Sequence, residues 1–181
     1  MMGKIQEMTK ELQLKFAEFS AAMAEARIPF GLGEVLRTRE RQLAYAAQGR
    51  DRDELVKILT EYKWFHTLEK VRCLHALNKT PLEICQILRK EAGLAPLHPK
   101  DWYQITWTLN SRHFPDPTGH ARAFDVHLFI SGKTPTWDTK WDGDNDGVPE
   151  YLEAARIGRV VGLDAGGLWK KRPDYPHFQL V

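Results

Sequence analysis

Cysteine is nearly absent from the 181 residues: only Cys73 and Cys85 occur. They form no Cys-x-x-Cys pair and fall in stretches that read as helices, so a disulfide framework and a thiolate zinc site are both excluded. The thiols are read as reduced and structural. No apolar run reaches the roughly 20 residues that a bilayer-spanning helix needs. The N-terminus shows no charged region followed by a continuous apolar core and cleavage site. Synthesis as a soluble cytosolic protein without membrane insertion is therefore expected. Neither sign of charge dominates, with 26 Lys and Arg against 24 Asp and Glu for a net charge of +2. Mixed charge along the whole length excludes a nucleic-acid-binding stripe, while mild basicity suits an anionic polymer. A chain of this length buries a core without staples, and it is read as one monomeric domain over 1–181.

What is present begins with helices. Ile5, Met8, Leu12, Phe16, Phe19 and Met23 recur at three- and four-residue spacings, which predicts an amphipathic helix from Ile5 to Ala26, stopped by Pro29. Thr38 is placed to cap a helix over Arg39 to Gln48, with Gly49 as its stop. A purely helical region is expected between Asp53 and Gly93, where Thr80-Pro81-Leu82-Glu83 is a capping box with proline at the first helical position. That region reads as an insertion that packs on the rest of the chain. Its Trp64, Phe65, His66, Lys70 and Arg72 offer a face for binding such a polymer as the other reading.

From Tyr103 the period changes to two. Ile105, Trp107 and Leu109 alternate with Gln104, Thr106 and Thr108, which predicts a half-buried strand from Tyr103 to Leu109. Further strands are expected over Ala123 to Ile130 and His177 to Val181. Helices first and an antiparallel sheet after make the class α+β.

The chemistry lies in Ser111-Arg112-His113, Ala123-Phe124-Asp125 and Asp174-Tyr175-Pro176-His177. A catalytic zinc takes three protein ligands of the histidine and carboxylate kind, and His113, Asp125 and His177 supply such a set. Asp174 is left over, three residues before a ligand, in reach of the attacking water as general base. Between His113 and Asp125 the segment Phe114-Pro115-Asp116-Pro117-Thr118-Gly119 reads as a turn that bulges out. His120 follows it and stands as the alternative to His113. His127 alternates with Asp125 along the strand and is read as structural.

The order Ser-x-His, Ala-x-Asp, Asp-x-x-His resembles the zinc peptidases that cut D-amino-acid-containing peptides of bacterial walls, the VanY-like and phage-endolysin group. Gly162-Leu163-Asp164-Ala165-Gly166-Gly167-Leu168-Trp169, running into Asp174 to Leu180, is similar in particular to L-alanyl-D-glutamate endopeptidase endolysins. Arg37-Thr38-Arg39-Glu40-Arg41-Gln42 resembles the group's Arg-Ser-x-x-x-Gln element. The group usually spaces its first histidine and aspartate as His-x-x-Gly-x-Ala-x-Asp, and the insert before His120 departs from that. His113 keeps the Ser-x-His context. The resemblance implies a D,D-peptidase-like fold, one catalytic Zn2+ per chain, and peptidoglycan as partner. It also implies that Arg37 stabilises an oxyanion or holds a substrate carboxylate, with Gln42 on the substrate side; Ser111, with no base beside it to make it a nucleophile, contacts substrate or braces the ligand loop.

A second metal loop is expected at Asp142-Gly143-Asp144-Asn145-Asp146-Gly147-Val148-Pro149-Glu150-Tyr151-Leu152-Glu153. Asp142, Asp144 and Asp146 stand at positions 1, 3 and 5 of an EF-hand loop, Gly147 at 6, the Val148 carbonyl at 7, Glu150 at 9 and Glu153 at 12. An all-oxygen site selects Ca2+, one per chain. Pro149 and the lack of a second loop argue against a paired sensor, leaving a dockerin-like fastening loop or a solvated acidic turn. A helix from Tyr151 to Val161 should follow.

The activity expected is zinc-dependent cleavage of the L-alanyl-D-glutamate bond of peptidoglycan by a phage endolysin, made in the host cytoplasm and reaching the wall after membrane permeabilisation. A D-alanyl-D-alanine carboxypeptidase or dipeptidase is the enzymatic alternative. A non-catalytic, calcium-stabilised wall-binding module is the alternative of another class.

Overall fold

The computed structural model describes residues 3–181. They form two compact units, one made of the N-terminal residues to Leu36 together with Arg112–Val181, the other of Arg37–Ser111. Among the described residues no helix is long and apolar enough to cross a membrane.

In the first unit, helix α1 (Lys10–Glu25) is capped by Thr9, whose hydroxyl accepts from the Leu12 amide. Its buried stripe is Leu12, Phe16, Phe19 and Met23, as the spacing predicts, and Met8 joins it from the preceding turn. The stripe packs on one face of a small antiparallel sheet. Strand β2 (Ala123–Ile130) is the sheet's spine. It pairs with β1 (Phe30–Leu32), with β3 (Thr134–Thr136) and with β5 (His177–Gln179), and β5 pairs in turn with β4 (Asp164–Ala165).

Along β2, Phe124, Val126 and Leu128 are buried against α1, while Asp125, His127 and Phe129 point to the other, partly open face. Aromatic rings fill the core: Phe16 meets Phe124 edge-on at 5.1 Å, and Phe124 stacks on Phe178 at 5.4 Å. Helix α6 (Glu150–Val160) closes that core with Tyr151, Ala154 and Ala155. Gly158 on the same helix lies so close to the Phe178 ring that a Cβ there would fall 2.5 Å from Cε1.

The second unit is helical. It holds α2 (Arg39–Ala47), α3 (Arg52–Glu61), α4 (Phe65–Ala76) and α5 (Pro81–Glu91). Thr38 caps α2, and Thr80 with Glu83 forms the capping box of α5. Ala44, Leu59, Val71, Ile84, Cys85 and Leu88 form its core.

Two expectations are corrected. Tyr103–Leu109 is not a strand, and its burial is largely the reverse of the predicted alternation: Thr106 is buried, whereas Ile105 and Trp107 are exposed. Side chains replace a strand partner there. The Gln42 amide donates to the Thr108 carbonyl, and the Arg50 guanidinium donates to the Thr106 carbonyl at 2.6 Å. Strand β1 lies among the helices in sequence, where three residues between Pro29 and Gly33 give too short a pattern to read.

Candidate metal centre

Three donor atoms converge on the open face of β2. Asp125 and His177 are direct partners in the antiparallel register of β2 and β5, which sets their side chains side by side. His113 comes from the loop that precedes the turn. The distances His113 Nε2 to Asp125 Oδ1, His113 Nε2 to His177 Nδ1, and His177 Nδ1 to Asp125 Oδ1 are each 3.2 Å. His113 and His177 are buried and Asp125 is half-buried.

Hydrogen bonds behind the rings decide what faces inward. The Val35 carbonyl, which can only accept, lies 2.9 Å from His113 Nδ1, so that nitrogen carries the hydrogen and Nε2 presents a lone pair. The Gln179 amide nitrogen donates to Asp164 Oδ2 at 2.8 Å, which turns its oxygen to His177 Nε2 at 3.0 Å. His177 Nε2 therefore donates, and its Nδ1 lone pair faces the same point as that of His113. With the Asp125 carboxylate, three electron-rich atoms meet with no hydrogen between them.

Such an arrangement can hold a cation. For a tetrahedral zinc with bonds of about 2.0 Å, neighbouring ligand atoms stand about 3.3 Å apart, and the observed triangle has that size. The donor set is the nitrogen and oxygen set zinc accepts, and the Val35 carbonyl and the Gln179 amide hold the two rings from behind. A proton can take the cation's place: burial would lower the His177 pKa, but the hydrogen bond that a protonated Nδ1 makes to Asp125 and the charge of Asp125, with Asp174 and Gln179 adding, carry it above its ordinary value. Burial would raise that of Asp125, but His113 and then His177 hold it well below the carboxylate range.

Asp174 is exposed, and its backbone is pinned: its amide donates to the Gly166 carbonyl at 3.0 Å, and its carbonyl accepts from the His177 amide at 3.1 Å. Its charge acts on His177. Gly166 is required by the close approach, since a Cβ there would lie 2.4 Å from the Asp174 carbonyl oxygen. Trp169 covers His177 with ring centroids 5.4 Å apart, and its indole donates to Asp164.

His120 lies outside the triangle. Its ring contacts Thr118 Oγ1 at 3.0 Å in the turn that Asp116 organises by accepting from the Thr118 and His120 amides. Arg37, Gln42 and Ser111 belong to the helical unit. There the Arg37 guanidinium donates to Gln42 Oε1 at 2.9 Å and stands 5.1 Å from the Tyr45 ring centroid, while the fully buried Gln42 also donates to Thr106. Val35, Asp164 and Gln179 are the partners that motif reading missed. Only Gln179 left a signal, two residues beyond His177 on a strand and hence on its face.

The acidic loop forms a second cluster. Oxygens of Asp142, Asp144 and Asp146 lie within 4.8 Å of one another. The loop folds on itself, with the Gly147 amide donating to Asp142, the Asp146 amide to Asp144 and the Val148 amide to Asp146. Glu150 is 5% exposed, and its Oε1 accepts from the Gly143 amide. Its Oε2 and Asp142 Oδ1 are buried without a hydrogen-bond partner among the described residues. Burial, followed by Asp146, Asp144 and Glu150, raises the Glu153 pKa.

No protein-family model matches the sequence. Over 62 residues the chain is 38% identical to the peptidoglycan L-alanyl-D-glutamate endopeptidase CwlK of Bacillus subtilis (strain 168), a match spanning 34% of this chain and 37% of that protein. The chain thus spans little more than a third of the length of this curated relative. The crystal structure of the Serratia marcescens L-Ala D-Glu endopeptidase ChiX aligns with a TM-score of 0.48 and 17% identity, covering 98% of this chain and 83% of that one. CwlK carries the name of the same endopeptidase type that the C-terminal motif resembles.

Proposed function

We propose that this chain is a zinc-dependent peptidoglycan hydrolase of the VanY-like group, cutting the L-alanyl-D-glutamate bond of the stem peptide. The observation that supports this best is the triangle of His113, Asp125 and His177, three inward lone pairs at 3.2 Å in a shell whose tautomers are fixed from behind. The substrate comes from the 38% identity to CwlK. Zinc held by these residues supplies an acidified water and a Lewis acid for the peptide carbonyl. Asp174 takes the proton of the attacking water and returns it to the leaving amine. Arg37 keeps the role its motif implies, binding a substrate carboxylate or the developing oxyanion, for which a guanidinium is permanently charged. Gln42 holds Arg37 in place, and Ser111 contacts substrate. Release of the enzyme into a host envelope, as in a phage endolysin, fits the same reading.

Digestion of purified peptidoglycan followed by mass analysis tests it. Expected are glycan strands carrying L-alanine alone and free peptides beginning with D-glutamate. Loss of terminal D-alanine only would replace this reading with a carboxypeptidase, and intact wall would reject both.

We infer further that the loop from Asp142 to Glu153 holds one Ca2+, with Asp142, Asp144, Asp146, the Val148 carbonyl, Glu150 and Glu153 as ligands. Supporting this are the converging aspartates and the two buried carboxylate oxygens without partners. Removing the ion would leave like charges crowded at the start of α6.

A further inference from the structure

The face of β2 that carries Asp125 continues into an aromatic strip. His127 and Phe129 follow Asp125 on that face, with ring centroids 5.0 Å apart and planes at 81°. Trp137 joins them from the far end of β3. Thr136 pairs with Leu128 and is buried, so the next residue turns to the opposite face, where the Trp137 ring stands 5.8 Å from His127. Trp137 is 60% exposed.

Glycine makes room for the strip. Gly31 is the register partner of His127 on β1, and a Cβ there would fall 2.4 Å from His127 Nε2 and 3.2 Å from Phe129 Cε2. Both rings lean over bare backbone, forming a shallow shelf on the metal-centre face. The core of the first unit is on the opposite side and does not use these rings.

We propose that His127, Phe129 and Trp137 form a subsite for the sugar ring of the muramyl residue, on the N-terminal side of the bond that is cut. The proposal rests on the endopeptidase reading above and adds to it the part of the substrate held. Spacing supports it. A strand rises about 3.3 Å per residue, which places His127 about 7 Å and Phe129 about 13 Å along β2 from Asp125. In the wall polymer the carbonyl of L-alanine is separated from the pyranose ring by the alanyl and lactyl units, two residue lengths or about 7 Å in an extended chain. Chemistry supports it too. Aromatic faces suit the C–H face of a pyranose, whereas the charged diamino acid on the other side of the scissile bond would call for ionic partners, which these rings do not supply.

The test uses the full chain and two substrates, an N-acetylmuramyl-L-alanyl-γ-D-glutamyl peptide and the same peptide with acetyl in place of the muramyl group. The wild type should show a KM about tenfold lower for the muramyl peptide, the size of one good aromatic contact. Trp137→Ala should erase that difference by raising KM on the muramyl peptide while kcat holds, and Trp137→Phe should restore most of it. Equal KM values for the wild type, or an equal loss on both substrates in Trp137→Ala, would overturn the subsite. Cleavage of neither substrate would instead defeat the endopeptidase reading. Titration of N-acetylmuramyl-L-alanine against the indole N–H resonance of Trp137 reads the subsite without turnover. A saturable shift supports it and no shift rejects it, whatever becomes of the activity.

Discussion

The Gln179 amide, oriented by Asp164, presents its oxygen to His177 Nε2 at 3.0 Å and thereby sends the His177 Nδ1 lone pair towards His113 and Asp125. A residue that touches no metal thus decides which ring nitrogen is free to bind one. Gln179→Leu is expected to weaken zinc affinity about 10- to 100-fold while the fold is kept. Competition with a chromophoric chelator measures it, and unchanged affinity would show that the tautomer is set elsewhere.

Loss of a ligand and loss of the base should separate. His113→Ala and His177→Ala are expected to abolish both stoichiometric zinc and wall cleavage. Asp174→Ala should keep one zinc per chain and lose about 10²- to 10⁴-fold in kcat. Metal analysis alongside turnover distinguishes the two classes. His120→Ala, outside the triangle, should retain zinc.

Calcium should stabilise the fold through the acidic loop. At free Ca2+ a hundredfold above Kd, binding to the native state alone adds about 2.7 kcal/mol. Thermal melts with and without chelator check this, and Asp144→Asn with Asp146→Asn should remove the response. Identical melting of the wild type in both conditions would rule the ion out.

The two thiols should differ sharply. Burial pushes the Cys85 thiol up to about 11, whereas Cys73 is exposed. At pH 8 one thiol per native chain should react with a disulfide reagent, and two after denaturation. Because the folded value lies above the ordinary 9.0, the native state binds more protons in that interval. This contribution to stability is full below pH 9 and is lost as pH rises through 11.

Packing around Gly158 is tight enough to penalise one methyl group. Gly158→Ala gains helix propensity, yet its Cβ would lie 2.5 Å from the Phe178 ring in the core. A net loss of about 1–3 kcal/mol is expected in denaturant unfolding. A stabilised variant would mean that the ring can yield.

Local features of the fold were legible in the chain. Thr38, Thr80 and Glu83 cap the helices they were expected to cap, because an N-cap involves only residues three apart. The apolar stripe of α1 and the span of β2 also followed from periodicity. Tyr103–Leu109 failed for a physical reason: its alternation was that of a strand, but none of the described strands pairs with it, and buried Gln42 and Arg50 take its carbonyls. Periodicity reports which side chains differ in polarity, not which backbone partner is available.

The sequence alone determined the donor types, since two histidines, two aspartates and an Asp-rich loop at fixed spacings admit few chemistries. Only tertiary structure decided that His113 Nε2, His177 Nδ1 and Asp125 Oδ1 face one point. That depends on the register pairing Asp125 with His177 and on carbonyl and amide groups from Val35 and Gln179, up to 78 positions away from the ring they orient. Ligand identity is a property of side chains, whereas the direction of a lone pair is set by whatever the folded chain places behind the ring.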